Sequence, residues 1–370
     1  LVLDRGRIAA LYPAGARPHP PGARVLEVAG AYVIPGLIDA HVHLASFERP
    51  VALTRELLRH ALLGGVTTVR DMGGNPTVVR ELARAARVDT APAPRIVFAA
   101  VAAGPAWFAS YDPARLRYWS GGRTPGTAPG VRVVEGATDL GALAREAAEL
   151  GATGIKVYAD VPAGRMRALV AAARRSRLLV WSHAVVPPTR PGALVAAGVD
   201  VLSHADQLLW AAVPPSAPVG DRAARGALLR TVAPDGPALT ALLDTMRARG
   251  TLLEPTLLVM QLGGAPGPGA PRPAPDTLPA WAVAVTRHAQ ARGVRLVAGT
   301  DALGRRTPWI HAELQLLVEQ AGLSPLEAIR AATANGARAL GLADSTGTIA
   351  AGKWADLVVL RADPVADIAN

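Results

Sequence analysis

Cysteine is absent from the 370 residues. That excludes disulfides and thiolate metal sites, so any metal would be held by nitrogen and oxygen. Lysine is nearly absent too: Lys156 and Lys353 are the only two among 39 basic residues. Arginine supplies every other cation, so a lysine that persists against this bias raises a chemical question. No apolar run reaches the roughly 20 residues of a membrane-spanning helix. No signal-peptide pattern opens the chain. It begins at Leu1 without Met, which reads as a processed or trimmed start. A soluble protein of a bacterial-type cytoplasm or periplasm is expected, and the choice between them stays open. The net charge of +10 would permit nucleic-acid binding. The arginines, however, scatter over helical stretches such as 80–87 and 165–177 without interleaved aromatics. No nucleic-acid partner and no membrane partner is expected.

Half of the residues are hydrophobic and 18% are charged, enough for a large core. Apolar strand-like runs alternate with Ala/Leu/Arg-rich helical runs. The strands read as 37–43, 66–71, 95–100, 154–158, 178–183, 199–204, 251–258 and 294–300. Eight such alternations predict an α/β fold, a (β/α)8 TIM barrel over residues 34–344. Short strand-like runs at both ends predict a small composite β-sandwich from 1–33 and 345–370. Two Pro/Gly-rich segments, 120–130 and 263–279, read as surface loops or as lids over the strand ends.

The strand ends carry the chemistry. The first run, Val33-Ile34-Pro35-Gly36-Leu37-Ile38-Asp39-Ala40-His41-Val42-His43, delivers two histidines two positions apart. On an extended strand both imidazoles point to one side and can share a metal ion. Lys156 lies on strand four, and His183, His204 and Asp301 close strands five, six and eight. In a parallel barrel these ends gather on one face. Six such groups on one rim predict a metal site.

This pattern resembles the metal-dependent amidohydrolase superfamily, within it the branch of imidazolonepropionase-like proteins and Xaa-Pro dipeptidases. The resemblance rests on Pro35–His43, Gly154-Ile155-Lys156-Val157-Tyr158, His183, His204 and Gly299-Thr300-Asp301. Residues 324–333 and 347–358 add to it. It implies a carboxylated lysine bridging two divalent metals, commonly zinc. One metal would take His41, His43, Lys156 and Asp301, the second Lys156, His183 and His204. A bridging hydroxide would attack an amide-type C–N bond, with Asp301 as general base. A buried lysine fits this chemistry, because desolvation lowers its pKa and its neutral amine reacts with carbon dioxide. Arginine stays protonated and cannot.

The substrate expected is a small peptide-like, N-acyl or cyclic amide. A mononuclear deaminase is the alternative, although such relatives generally lack the strand-four lysine. A lactone or ester hydrolase and a non-catalytic relative are further ones. Homo-oligomerisation is a family-level expectation. Candidate substrate contacts are Tyr158, Arg70, His311, Trp107 and Trp210, with Asp71, Glu313, Phe108, Tyr111 and Trp119 beside them. His19, His60 and His288 read as surface residues, Lys353 as structural, and Asp206 and Gln207 have no role. Dipeptidases of this branch tend to carry a tyrosine two residues after the strand-five histidine, where this chain has Val185.

Overall fold

The structure, a computed structural model, describes all residues except 14, 17, 19, 89–91, 215–218, 220, 221, 263–277 and 303–307. Its centre is a parallel sheet. The order across it is Leu252–Glu254, Val201–Ser203, Leu179–His183, Gly154–Val157, Arg95–Ala103, Val66–Asp71, Leu37–Val42. Each neighbouring pair is parallel. Strands buried on both faces read as continuous apolar runs rather than alternating ones. Leu37–Val42 is buried at every position.

The sheet curls, as a TIM-like barrel requires. The stretch 294–300, expected as the eighth strand, carries a single parallel bridge, Leu296 to Leu253. Its amides nevertheless reach both edges of the sheet: Val297 N–H donates to Leu253 O at 2.9 Å, and Ala298 O accepts from Ala40 N at 3.1 Å. Gly299 makes this approach feasible. A Cβ there would lie 2.8 Å from both Glu254 Oε1 and His41 Cβ.

Helices cover the sheet with their apolar faces. Pro76–Ala85 buries Val79, Leu82 and Ala83 and is capped by Asn75, which accepts from Thr77 N and Val78 N. Proline at its first position costs no hydrogen bond. Pro325–Ala331 begins with a reciprocal capping box between Ser324 and Glu327. Two short helices, Pro105–Ser110 and Pro113–Trp119, follow the third strand.

Several expectations are corrected. Segment 120–130 is no open loop: Thr127–Ala128 pairs with Val131–Val133, which joins the sheet beside Arg95–Ala103. Ala128 and Val131 are buried, so apolar contact anchors it. The seventh run stops at Glu254, and Leu257–Gln261 is helical. Of the other lid candidate, 263–277 lies outside the described residues, and Leu278 begins the Leu278–Ala291 helix.

The chain ends do meet: Leu357–Leu360 pairs with Tyr32–Pro35, while Val2–Asp4 pairs with Arg7–Ala10 within the N-terminal segment. Ile8 N–H donates to Lys353 O and Gly352 N–H to Ile8 O, both at 2.8 Å. The stretches 24–28 and 345–349, expected as strands, are not strands. Lys353 Nζ donates to Ala343 O at 2.6 Å and to Thr348 Oγ1 at 2.6 Å, as a structural lysine should. No helix among the described residues is long and apolar enough to cross a membrane.

Candidate metal centre

The first strand brings His41 and His43 to one end of the sheet, where Asp301 meets them. Asp301 Oδ1 lies 3.0 Å from His43 Nε2 and 3.4 Å from His41 Nε2. One ligand atom from each of the three falls within 4.8 Å of the others. Both histidines are held from behind. His41 Nδ1 is 2.7 Å from Glu254 Oε2 and His43 Nδ1 is 2.9 Å from Gly73 O. Oxygen acceptors at both Nδ1 positions assign the N–H there and leave Nε2 facing inward. Nε2 lone pairs and a carboxylate oxygen repel unless a cation or proton lies between them. This donor set therefore fits a divalent metal.

His183 and His204 form a second group, with ring centroids 4.9 Å apart. The His204 ring is 5.3 Å from that of His41. His204 Nδ1 is 2.9 Å from Thr256 Oγ1, whose own hydroxyl donates to Pro255 O at 2.8 Å. That again assigns the N–H to Nδ1. The His183 ring has no hydrogen bond to a described residue; Tyr158 packs edge-on against it at 5.0 Å. Lys156 is wholly buried, and its Nζ donates to Ser203 Oγ at 3.0 Å.

The backbone is bent to deliver these groups. His204, Thr256 and Asp301 all have positive φ, at 74°, 53° and 56°. Non-glycine residues hold such angles only where surrounding structure over-determines them, and they cluster at functional sites.

Charge follows burial and neighbours. Burial pulls Lys156 down to about 7 from 10.5, and His204 down to about 3. Burial also carries His183 well below 6.5. For Asp301 burial opposes the charge, but His41 and His43 outweigh it and hold the carboxyl well below the usual range. Burial likewise disfavours charge on His43, yet its contact with Asp301 raises it.

An amidohydrolase family profile matches residues 32–370. The chain belongs to the amidohydrolase family. This amidohydrolase is 45% identical over 78 residues to ochratoxinase of Aspergillus niger, a match covering 20% of this chain and 16% of that protein. In three dimensions it resembles a Xaa-Pro dipeptidase with methionine bound in the active site, at TM-score 0.73 and 22% identity. That likeness covers 99% of this chain and 89% of the other. It is also similar to bottromycin amidohydrolase, at TM-score 0.67 and 27% identity over 96% and 76% of the two chains.

The remaining candidates fare unevenly. Arg70 is enclosed and cannot meet a substrate: its guanidinium bonds Glu254 Oε1 at 2.6 Å and Ala40 O at 2.6 Å. His311 turns outward, with Nε2 2.8 Å from Gly64 O. Trp210 is sealed in the main hydrophobic core. Neither forms a pocket wall, because a place after a strand end does not fix side-chain direction. Tyr158 donates to Met72 O at 3.1 Å. Its ring joins Trp107, Phe108, Tyr111, Tyr118 and Trp119 in one aromatic cluster beside His183.

Asp71 accepts from Leu44 N and Gly73 N and so fixes the loop whose carbonyl holds His43. Glu313 is buried and accepts from Leu257 N at 3.0 Å and Leu258 N at 2.7 Å. Asp206 pairs with Arg225 at 2.8 Å, and Gln207 Oε1 accepts from Val185 N. His288 bonds Thr240 on a helix, and His19 lies outside the described residues.

Two residues escaped the sequence reading. Asp39 accepts from His41 N, Thr300 N and Thr300 Oγ1, at 3.2, 3.1 and 2.7 Å, tying the first strand to the segment that carries Asp301. Glu254 touches His41, Arg70 and Ser203 at once. A lone acid inside the apolar run Thr251-Leu252-Leu253-Glu254 was the available signal. A buried carboxylate needs partners.

Proposed function

We propose that this amidohydrolase cleaves an amide-type C–N bond in a small peptide-like, N-acyl or cyclic amide. The observation carrying the reading is the convergence of His41, His43 and Asp301, with both outer imidazole nitrogens tied off. His41, His43, Lys156 and Asp301 would hold one divalent cation, and Lys156, His183 and His204 a second. The all-nitrogen-and-oxygen donor set suits zinc, manganese, iron or cobalt. When bound, such ions supply an acidified water and polarise the substrate carbonyl.

The protein's own residues do the rest. Near neutral pH much of Lys156 is an uncharged amine, since burial holds it at about 7. Its nitrogen adds to carbon dioxide and loses a proton, giving an anionic carbamate with two oxygens. His183 and His204 stay neutral for the same reason of burial, so their lone pairs remain available. Asp301, kept ionised, accepts a proton from the attacking water and delivers one to the departing amine. The aromatic cluster beside His183 forms an apolar wall for the substrate.

The test joins metal counting to a substrate panel of dipeptides, N-acyl amino acids, cyclic amides and lactones. Two ions per chain with amine release is the expected outcome. One ion per chain with ammonia release moves the reading to a deaminase. Full metal with no turnover on any amide or ester overturns the hydrolase reading.

A further inference from the structure

An imidazole can offer a metal one lone pair only while its other nitrogen carries the proton. What decides the tautomer of His41 is Glu254, whose Oε2 lies 2.7 Å from Nδ1. Glu254 has no exposed surface, and the side-chain hydrogen-bond partners of its carboxylate among the described residues all donate. Arg70 Nη2 donates to Oε1 at 2.6 Å, and Ser203 Oγ donates to Oε2 at 2.8 Å. Ser203 in turn accepts from Lys156 Nζ at 3.0 Å.

Arg70 cannot turn away. Its Nε donates to Ala40 O at 2.6 Å, its Nη1 to Ala339 O at 3.3 Å, and its guanidinium carbon lies 4.5 Å from the Trp181 ring centroid. Nor can arginine give up a proton. Oε1 must therefore accept, and Oε2 must serve His41 and Ser203 together.

We propose that Glu254 is a positioning residue: anchored by Arg70, it sets the tautomer of His41 and the direction of the Ser203–Lys156 hydrogen bond. One carboxylate then holds both halves of the metal site. The inference rests on the reading of His41 and Lys156 as ligands.

Glutamine at 254 has nearly the same shape but one acceptor oxygen and one NH2 donor. Arg70 forces the amide oxygen toward itself, which aims the NH2 at His41 and Ser203. Nδ1 must then accept, and the ring proton moves to Nε2, the nitrogen facing Asp301. A protonated Nε2 has no lone pair for a metal.

The experiment is 15N–1H correlation NMR of histidine-labelled protein without metal, with His41 assigned by its loss in His41→Gln. Zinc titration of the same samples accompanies it. The wild type is expected to show Nδ1–H on His41. Glu254→Gln is expected to show Nε2–H and to bind zinc about 10- to 100-fold more weakly. In Arg70→Met/Glu254→Gln the amide is free to reverse, so Nδ1–H returns and zinc affinity recovers in part.

Nε2–H in the wild type overturns the proposal without any variant. So does a folded Glu254→Gln that keeps the wild-type tautomer or the wild-type zinc affinity. A wild type that takes no zinc, yet whose tautomer inverts in Glu254→Gln, supports the positioning role and removes the metal reading instead.

Discussion

His41 and His43 meet Asp301 in a corner where both outer nitrogens are tied, to Glu254 and to Gly73 O. His183 and His204 meet in a corner where, among the described residues, only the His204 ring is tied, through Thr256. The first corner takes His41 from the end of one strand and His43 from just past it, so its local geometry aims both rings. The second takes its two histidines from two strand ends, and in the proposed site Lys156 would complete it. Burial lowers His41 in the first corner as it lowers His183 and His204 in the second, and His43, beside Asp301, is the one raised. A corner with fixed rings loses less side-chain freedom on binding, so it is expected to hold a cation more tightly. The lesson is that one rim can carry a tightly braced corner beside a looser one; in the proposed site Lys156 would join the two.

Removing the shared residue strains this contrast most. Lys156→Ala is expected to abolish turnover and lose metal, the His183–His204 corner emptying first. Elemental analysis beside activity reads both, and wild-type metal content in the variant would break the bridge. Asp301→Asn comes next: metal retained in part, turnover reduced about 10²- to 10⁴-fold as for loss of a general base. Near-normal turnover would take Asp301 out of that role.

Thr256→Ala is smaller and belongs to the weaker corner alone. Without Oγ1, the His204 Nδ1–H loses its acceptor, and one cation is expected to bind about tenfold more weakly. Calorimetric titration should show the other cation's affinity unchanged. Equal weakening of both would erase the distinction between the corners.

The mildest effect is read in pH. Glu313 holds the first amides of the Leu257–Gln261 helix, directly after Thr256. Burial pushes this carboxyl up to about 8 from 4.5. Between those values the folded chain keeps a proton that the unfolded chain releases. The stability from this group is therefore full below pH 4.5 and is lost as pH rises through about 8. Glu313→Gln does not titrate. The urea stability of wild type minus variant should fall across that window, and a flat difference would contradict it.

Much of the fold was legible because apolar runs announce buried parallel strands. Val66–Asp71 has the expected bounds, and Leu37–Val42 stops one residue short of its prediction. The seventh run failed beyond Glu254, since an apolar stretch such as Leu257-Leu258-Val259-Met260 does not distinguish strand from buried helix. The positive φ of Thr256 makes the turn between them. Trp210 and His311 misled because a loop position is visible in sequence while the way a side chain faces is not. Arg70 and Asp71 were singled out at a strand end, but partners that fix them lie elsewhere in the chain: Glu254 for one, Leu44 for the other.

The chain alone determined the order of the apolar runs, the two histidines on one strand and the lone lysine among arginines. Those follow from periodicity and from what each side chain can do chemically, and neither needs a neighbour. Only the tertiary structure decided that Glu254 stands behind His41, that Arg70 anchors Glu254, and that Thr256 steadies His204. These are contacts between strand ends 52 to 213 residues apart. Hydrogen-bond direction depends on ångström-scale placement that no local pattern encodes.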